Sequence, residues 1–113
     1  MTKYLISVIR HENDDIKVFD DPLMRIDVDE LNDEMNGAGI IIYVGGLKPT
    51  KMAKVFNYDS GNVNDNDNGR YSNDGYYLDG FWIIECLYEK DALEWGRKAA
   101  LACRAKIQIR PFY

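Results

Sequence analysis

The sequence predicts an α+β domain in the order strand, helix, strand, strand, helix, strand, with a polar hairpin inserted between the second and third of those strands. Three observations carry this. Tyr4–Arg10 and Gly80–Cys86 are short apolar runs rich in β-branched and aromatic residues, which marks buried strands. Pro22–Met35 and Lys90–Cys103 place apolar or small residues at helical spacing. Between the halves runs a long polar region, assigned to a hairpin or loop over 57–79, that leads without a break into the Gly80–Cys86 strand.

Tyr4–Arg10 ends at the polar cluster His11-Glu12-Asn13-Asp14-Asp15 and reads as a strand in the middle of a sheet. Asp20 or Asp21 then supplies an N-cap, with Pro22 at the first helical position, where its missing N–H is not needed. Met24, Val28, Leu31 and Met35 share one face of this helix, and Asn36-Gly37-Ala38-Gly39 stops it. Ile40–Val44 resumes as a strand. Gly45-Gly46 with Leu47-Lys48-Pro49-Thr50 makes a turn that backbone or ligand can approach closely.

Met52–Tyr58 alternates as a strand, and Asp59-Ser60-Gly61-Asn62 turns the chain back. After the Asn/Asp run only Arg70, Tyr71 and Ser72 resemble strand residues, so an irregular hairpin is expected, with its return arm there. Gly80–Cys86, apolar on both faces, is a central strand under helices. Lys90–Cys103 carries Ala92, Gly96, Ala99 or Ala100, and Cys103, a small-residue stripe that lets a helix pack close to a sheet. Ala105–Arg110 alternates as a half-exposed last strand that Pro111 ends.

With the hairpin set aside, this order is the split βαβ arrangement of a ferredoxin-like βαββαβ antiparallel sheet, with both helices on one face. The other face needs cover and the chain offers no third helix. A second subunit packing sheet to sheet supplies it, so a homodimer is expected.

The 113 residues make a single domain, 1–113, and 46% hydrophobic with 29% charged residues is the composition of a soluble globular protein. Fourteen basic against nineteen acidic residues leave a net charge of −5, which repels phosphate backbones and argues against nucleic-acid partners. The opening MTKYLISVIRHENDD has an apolar run too brief for a signal peptide or a membrane span, so the protein is expected in the cytoplasm. Cys86 and Cys103 lie inside a predicted strand and helix without zinc spacing and read as buried thiols. No metal or cofactor is expected. Asn64 to Gly69 resembles the start of a calcium loop, but Gly75 stands where the bidentate Glu belongs, and Gly45-Gly46 lacks the wider spacing of a phosphate loop.

Lys3-Tyr4-Leu5-Ile6, Asn36-Gly37-Ala38-Gly39-Ile40, Gly45-Gly46-Leu47-Lys48-Pro49, Asp79-Gly80-Phe81-Trp82-Ile83-Ile84-Glu85, Asp91-Ala92-Leu93-Glu94-Trp95 and Ile107-Gln108-Ile109-Arg110-Pro111-Phe112 together resemble, in order and spacing, the YCII-related family in its DGPF-named branch. The resemblance covers nearly the whole chain. Two departures stand out. Asp74-Gly75-Tyr76-Tyr77 replaces the family's Asp-Gly-Pro-Phe, and the Pro22–Met35 helix has none of the His that YCII-like relatives place near an Asp. The resemblance implies a dimeric α+β barrel-like assembly with a cleft beside the sheet. A few family members act on small aromatic or ring compounds.

His11, the one imidazole, follows the first strand beside Glu12, Asp14 and Asp15, where carboxylates can orient it for proton transfer; the plainer reading is a solvated loop histidine. Asp74 with Tyr71, Tyr76 and Tyr77 can supply a carboxylate and phenols to an apolar pocket suited to a ring-bearing ligand. Asp74-Gly75 is equally ordinary turn chemistry, and Asp79-Gly80 is read as structural. Met24, Met35, Trp82 and Trp95 are read as core. The expected function is binding of a small organic molecule, with Asp74 and His11 as acid/base groups of a lyase- or isomerase-like reaction and Tyr71, Tyr76 and Tyr77 as ligand contacts. The alternative is a non-catalytic protein-interaction or regulatory dimer.

Overall fold

The structure is a computed structural model that describes residues 1–14, 21–66 and 68–113. Its elements are β1 (Thr2–His11), α1 (Pro22–Gly37), β2 (Ile41–Gly46), a single 3-10 turn (Thr50–Met52), β3 (Val55–Asp59), β4 (Asn62–Asn66), β5 (Tyr76–Cys86), α2 (Glu89–Cys103) and β6 (Lys106–Pro111). Four strands form an antiparallel sheet in the order β2-β5-β1-β6, and β3 and β4 form a separate two-stranded sheet. The two apolar runs, β1 and β5, therefore lie inside the larger sheet, where both edges of each strand are paired.

Burial follows the two-residue period of a strand along β5 from Gly80 and along β1 except at Ser7, which is buried as well. Tyr4, Ile6, Val8, Trp82, Ile84 and Cys86 pack with Leu31 and Met35 of α1 and with Ala92, Ala99, Ala102 and Cys103 of α2 in one core. Leu5, Ile9, Phe81 and Ile83, on the opposite face, are only half-buried. Tyr43 stacks on Phe81 there, ring centroids 5.8 Å apart.

The helices begin and end for local reasons. Asp21 accepts the Leu23 N–H at 2.9 Å as N-cap of α1, Pro22 is its first residue, and Gly39 takes φ +69° beyond its end. In α2, a Cβ at Gly96 would sit 3.4 Å from Ile109 of β6, so glycine allows the close approach. Arg104, just past α2, reaches Asp27 at 3.0 Å and Asp21 at 3.7 Å and ties the two helices together. Cys86 and Cys103 are both buried free thiols. No helix among the described residues is long and apolar enough to cross a membrane.

Several expectations need correction. The return arm of the hairpin is Asn62–Asn66, and Arg70-Tyr71-Ser72 forms no strand. The turn decides this: Ser60 and Gly61 take φ +49° and +88°, a backbone whose twist closes a two-residue hairpin and pairs Asp59 with Asn62. Pairing thus recruits asparagines of low β propensity, and the hairpin is regular. Its outgoing strand begins at Val55, since Thr50–Met52 coils first. Residues 76–79, assigned to the loop, open β5, and Gly45-Gly46 ends β2 rather than forming the turn. A Cβ at Gly80 would lie 3.0 Å from the Gly45 carbonyl oxygen, so the close approach expected at Gly45-Gly46 is one of backbone to backbone. The Asp15, Asp20 and Asp67 positions invoked above lie outside the described residues.

Candidate functional site

A β-bulge organises the lower end of the sheet. β1 and β5 pair in regular register from Thr2–Cys86 to Val8–Gly80, and Ile9 then pairs with Leu78, so Asp79 is the extra residue. Beyond it Arg10 lies opposite Tyr77 and His11 opposite Tyr76. Directly opposed residues share a face. Tyr77 therefore stands with Arg10 on the helix side, and Tyr76 stands with His11 on the open side.

On the open side, the His11 and Tyr76 rings meet edge to face at 4.7 Å, and the Lys106 ammonium lies 4.6 Å from the Tyr76 ring centre. His11 Nδ1 accepts the Asn13 N–H at 3.1 Å, which leaves the proton on Nε2, 2.8 Å from the Asp74 main-chain oxygen. The Asp74 carboxylate accepts the Tyr76 N–H at 2.9 Å, an Asx turn. Gly75 takes φ +84°, and a Cβ there would fall 2.6 Å from His11 Nε2. Glu12 holds the same segment twice, its N–H on the Gly75 oxygen at 2.9 Å and its carboxylate on Arg70 at 2.8 Å. The two expected acid/base residues are thus brought together, but by a main-chain oxygen and not by the carboxylate.

On the helix side, Arg10 is 5% exposed. Its Nε donates to Asp79 Oδ2 at 2.9 Å, and its Nη2 lies 4.0 Å from the Met24 sulfur of α1. The bulge turns the Asp79 carboxylate toward this guanidinium. A cleft of about 260 Å³ opens here, bounded by Val28, Asn32, Val44, Trp82, Arg10 and Cys103. Trp82 Nε1 donates to Asn32 Oδ1 at 2.8 Å, satisfying the indole within the core. Burial pushes the Cys103 thiol up to about 11, which makes it a packing group and not a nucleophile.

A larger cleft of about 430 Å³ lies at the same end of the sheet, formed by Leu47, Pro49, Met52, Ala53, Tyr71 and Tyr77. The Leu47 N–H donates to the Asp79 oxygen at 2.8 Å, and Gly69 seats against Thr50 so closely that a Cβ would fall on the Thr50 carbonyl. These contacts fix the loop walls. Desolvation raises the Tyr77 pKa, the Asp79 carboxylate adds to it, and Arg10 opposes both. A phenol is protonated at neutral pH in any case, and this shift extends that range further upward, so Tyr77 is available as a hydrogen-bond donor. Tyr71 and Tyr77 reach this cleft together, and beside it all three predicted tyrosines, Tyr71, Tyr76 and Tyr77, line a small crevice with Glu12, Arg70 and Gly75; His11 and Asp74 line none of these.

Asn64, the first residue of the calcium-like stretch, lies in β4, and among the described residues no three His, Cys, Asp or Glu side chains converge as a metal cage. The chain matches no protein-family model and no curated protein. The sequence reads Asp79-Gly80 as structural but does not pair Asp79 with Arg10. Arg10 keeps the parity of Tyr4, Ile6 and Val8, so the strand period already assigned it to the buried face. Its partner is 69 positions away and carries no local sign of the pairing.

Proposed function

We propose that this chain is a YCII-related, ferredoxin-like protein that works as a homodimer and binds a small ring-bearing organic molecule in the cleft between Leu47–Ala53 and Tyr71/Tyr77. One observation carries the reading: the cleft of about 430 Å³ is walled mostly by apolar side chains, with the phenols of Tyr71 and Tyr77 among its lining. That combination suits a flat, mostly apolar ligand with one acceptor atom. The order β2-β5-β1-β6 becomes second, third, first, fourth once the β3–β4 hairpin is set aside, which supports the ferredoxin-like assignment. The half-buried Leu5, Ile9, Phe81 and Ile83 on the face away from the helices support sheet-to-sheet dimerisation.

In this reading Tyr77 is the proton donor at the cleft. Asp74 and His11 act as the fasteners of the loop that carries Tyr71. The test is a thermal-shift and NMR titration with phenol, benzoate and indole. A saturable rise in melting temperature is expected, with resonance shifts at Tyr71 and Tyr77 and binding weakened about tenfold by Tyr77→Phe, the worth of one hydrogen bond to a buried partner. Shifts confined to other residues, or none with any of the three probes, would overturn it. The competing interaction-module reading is favoured by a different feature, the exposed aromatic face of the β3–β4 hairpin.

A further inference from the structure

All ten residues from Phe56 to Asp65 are exposed, so the β3–β4 hairpin stands out from the chain as an arm. Its pairing register gives it two unlike faces. Tyr58 lies opposite Val63 and Phe56 opposite Asp65, while Asn57 lies opposite Asn64 on the other side. The first face holds Phe56, Tyr58 and Val63 at 66%, 76% and 65% exposure. Its charged members, Lys54 and Asp65, approach each other at 3.6 Å and cancel. A two-stranded hairpin surrounded by water is marginal at best. Three large apolar side chains on one face of such a hairpin would be an unexplained cost unless that face is covered.

The dimensions of the chain point to what covers it. The radius of gyration is 15.8 Å, against about 13 Å for a compact domain of this length. The smallest extent is 18 Å, the thickness of one sheet and one helix layer. The accessible surface of 7974 Å² compares with about 6,400 Å² for a compact monomer of this mass. The surplus, roughly 1,600 Å², is within the roughly 1,000–2,500 Å² that each subunit contributes to a large homodimer interface. The chain has a net charge of −5, so copies of it repel except where they meet on uncharged surface. The aromatic face of the arm is such a surface.

We propose that the Phe56–Tyr58–Val63 face of the β3–β4 arm packs against a second copy of this chain, so that the arm embraces the partner and extends the dimer interface beyond the sheet. The proposal rests on the homodimer read above. It is tested by sedimentation equilibrium of the full chain over the micromolar range. Phe56→Asp with Tyr58→Asp is compared with Asn57→Asp plus Asn64→Asp, which add equal charge to the opposite face. The aromatic-face pair is expected to weaken dimerisation about a hundredfold, since each interfacial aromatic is worth about tenfold or more, and the control pair to leave it nearly unchanged. A wild-type dimer that the aromatic-face pair does not weaken overturns the arm and leaves the dimer standing. A monomeric wild type overturns both.

A second measurement needs no variant. Equal amounts of unlabelled and nitrogen-isotope-labelled wild type are mixed, unfolded in urea, refolded together so that subunits pair at random, and treated with an amine-reactive crosslinker. Lys54, at the root of the aromatic face, is expected in mixed-isotope peptide pairs. Lys54 crosslinks confined to single-isotope pairs overturn the proposal even where the aspartate variants fail to fold.

Discussion

The Nε2 of His11 lies 2.8 Å from the main-chain oxygen of Asp74, while the Asp74 carboxylate turns away to accept the Tyr76 N–H at 2.9 Å. Both side chains are therefore engaged in holding a turn. Asp74-Gly75 stands where the turn needs a short acceptor side chain followed by a left-handed backbone.

Asp74→Asn should leave stability nearly unchanged, because the amide oxygen can still accept from Tyr76. Asp74→Ala should cost about 1 kcal/mol by losing that acceptor. Urea denaturation of the two variants separates a turn role from a charge role. A loss with Asn equal to the loss with Ala would show that the negative charge matters more than the hydrogen bond.

Gly75→Ala should destabilise by about 2 kcal/mol or more, since the left-handed backbone disfavours a side chain and the ring of His11 fills the space. Gly69→Ala should be worse, because the new carbon meets rigid main chain at Thr50. Gly37→Ala, with nothing within 4 Å and a place at the end of α1, should gain up to about 1 kcal/mol. Thermal melting of the three variants gives the ranking.

Asn32→Leu should cost about 1–3 kcal/mol by leaving the Trp82 indole N–H, 2.8 Å from its acceptor in the native protein, without a partner in the core. Replacing both residues, Asn32→Leu with Trp82→Phe, should recover part of the loss. A double-mutant cycle by chemical denaturation checks the coupling.

The raised thiol of Cys103 makes stability depend on alkaline pH. Its folded-state value of about 11 stands above the ordinary 9.0, so the folded state holds the proton more tightly. The contribution is complete below pH 9.0 and is lost as pH rises through about 11. Unfolding free energy measured from neutral pH to that limit should fall less steeply for Cys103→Ala than for the wild type. Thiol reagents should label Cys103 slowly at neutral pH.

Strand and helix identity was largely legible from residue order. The periods of Tyr4–Arg10 and Gly80–Cys86 and the cap at Asp21-Pro22 are local signals that adjacent residues enforce on one another. The hairpin was legible only at its turn. The Asn/Asp run has poor strand propensity, and only pairing with Val55–Asp59 makes Asn62–Asn66 a strand.

Of the candidate site, Tyr71 and Tyr77 were named from sequence and do meet at one cleft. Tyr76, grouped with them, takes the other face of β5 beside His11, yet it meets both at the small crevice next to the cleft. Neither Arg10 nor Asp79 was recognised as a pair.

The sequence by itself determined the two helices, the four sheet strands, the buried thiols and an acidic charge balance, because each follows from composition or from a period shorter than one element. Tertiary structure alone decided the faces. A single extra residue, Asp79, shifts the β1–β5 register by one place, and a shift of one place sends every later side chain to the opposite side of the sheet. Register is set by pairing between segments far apart in the chain. It is for that reason that Tyr77, and not its neighbour Tyr76, joins Arg10 on the helix side of the sheet.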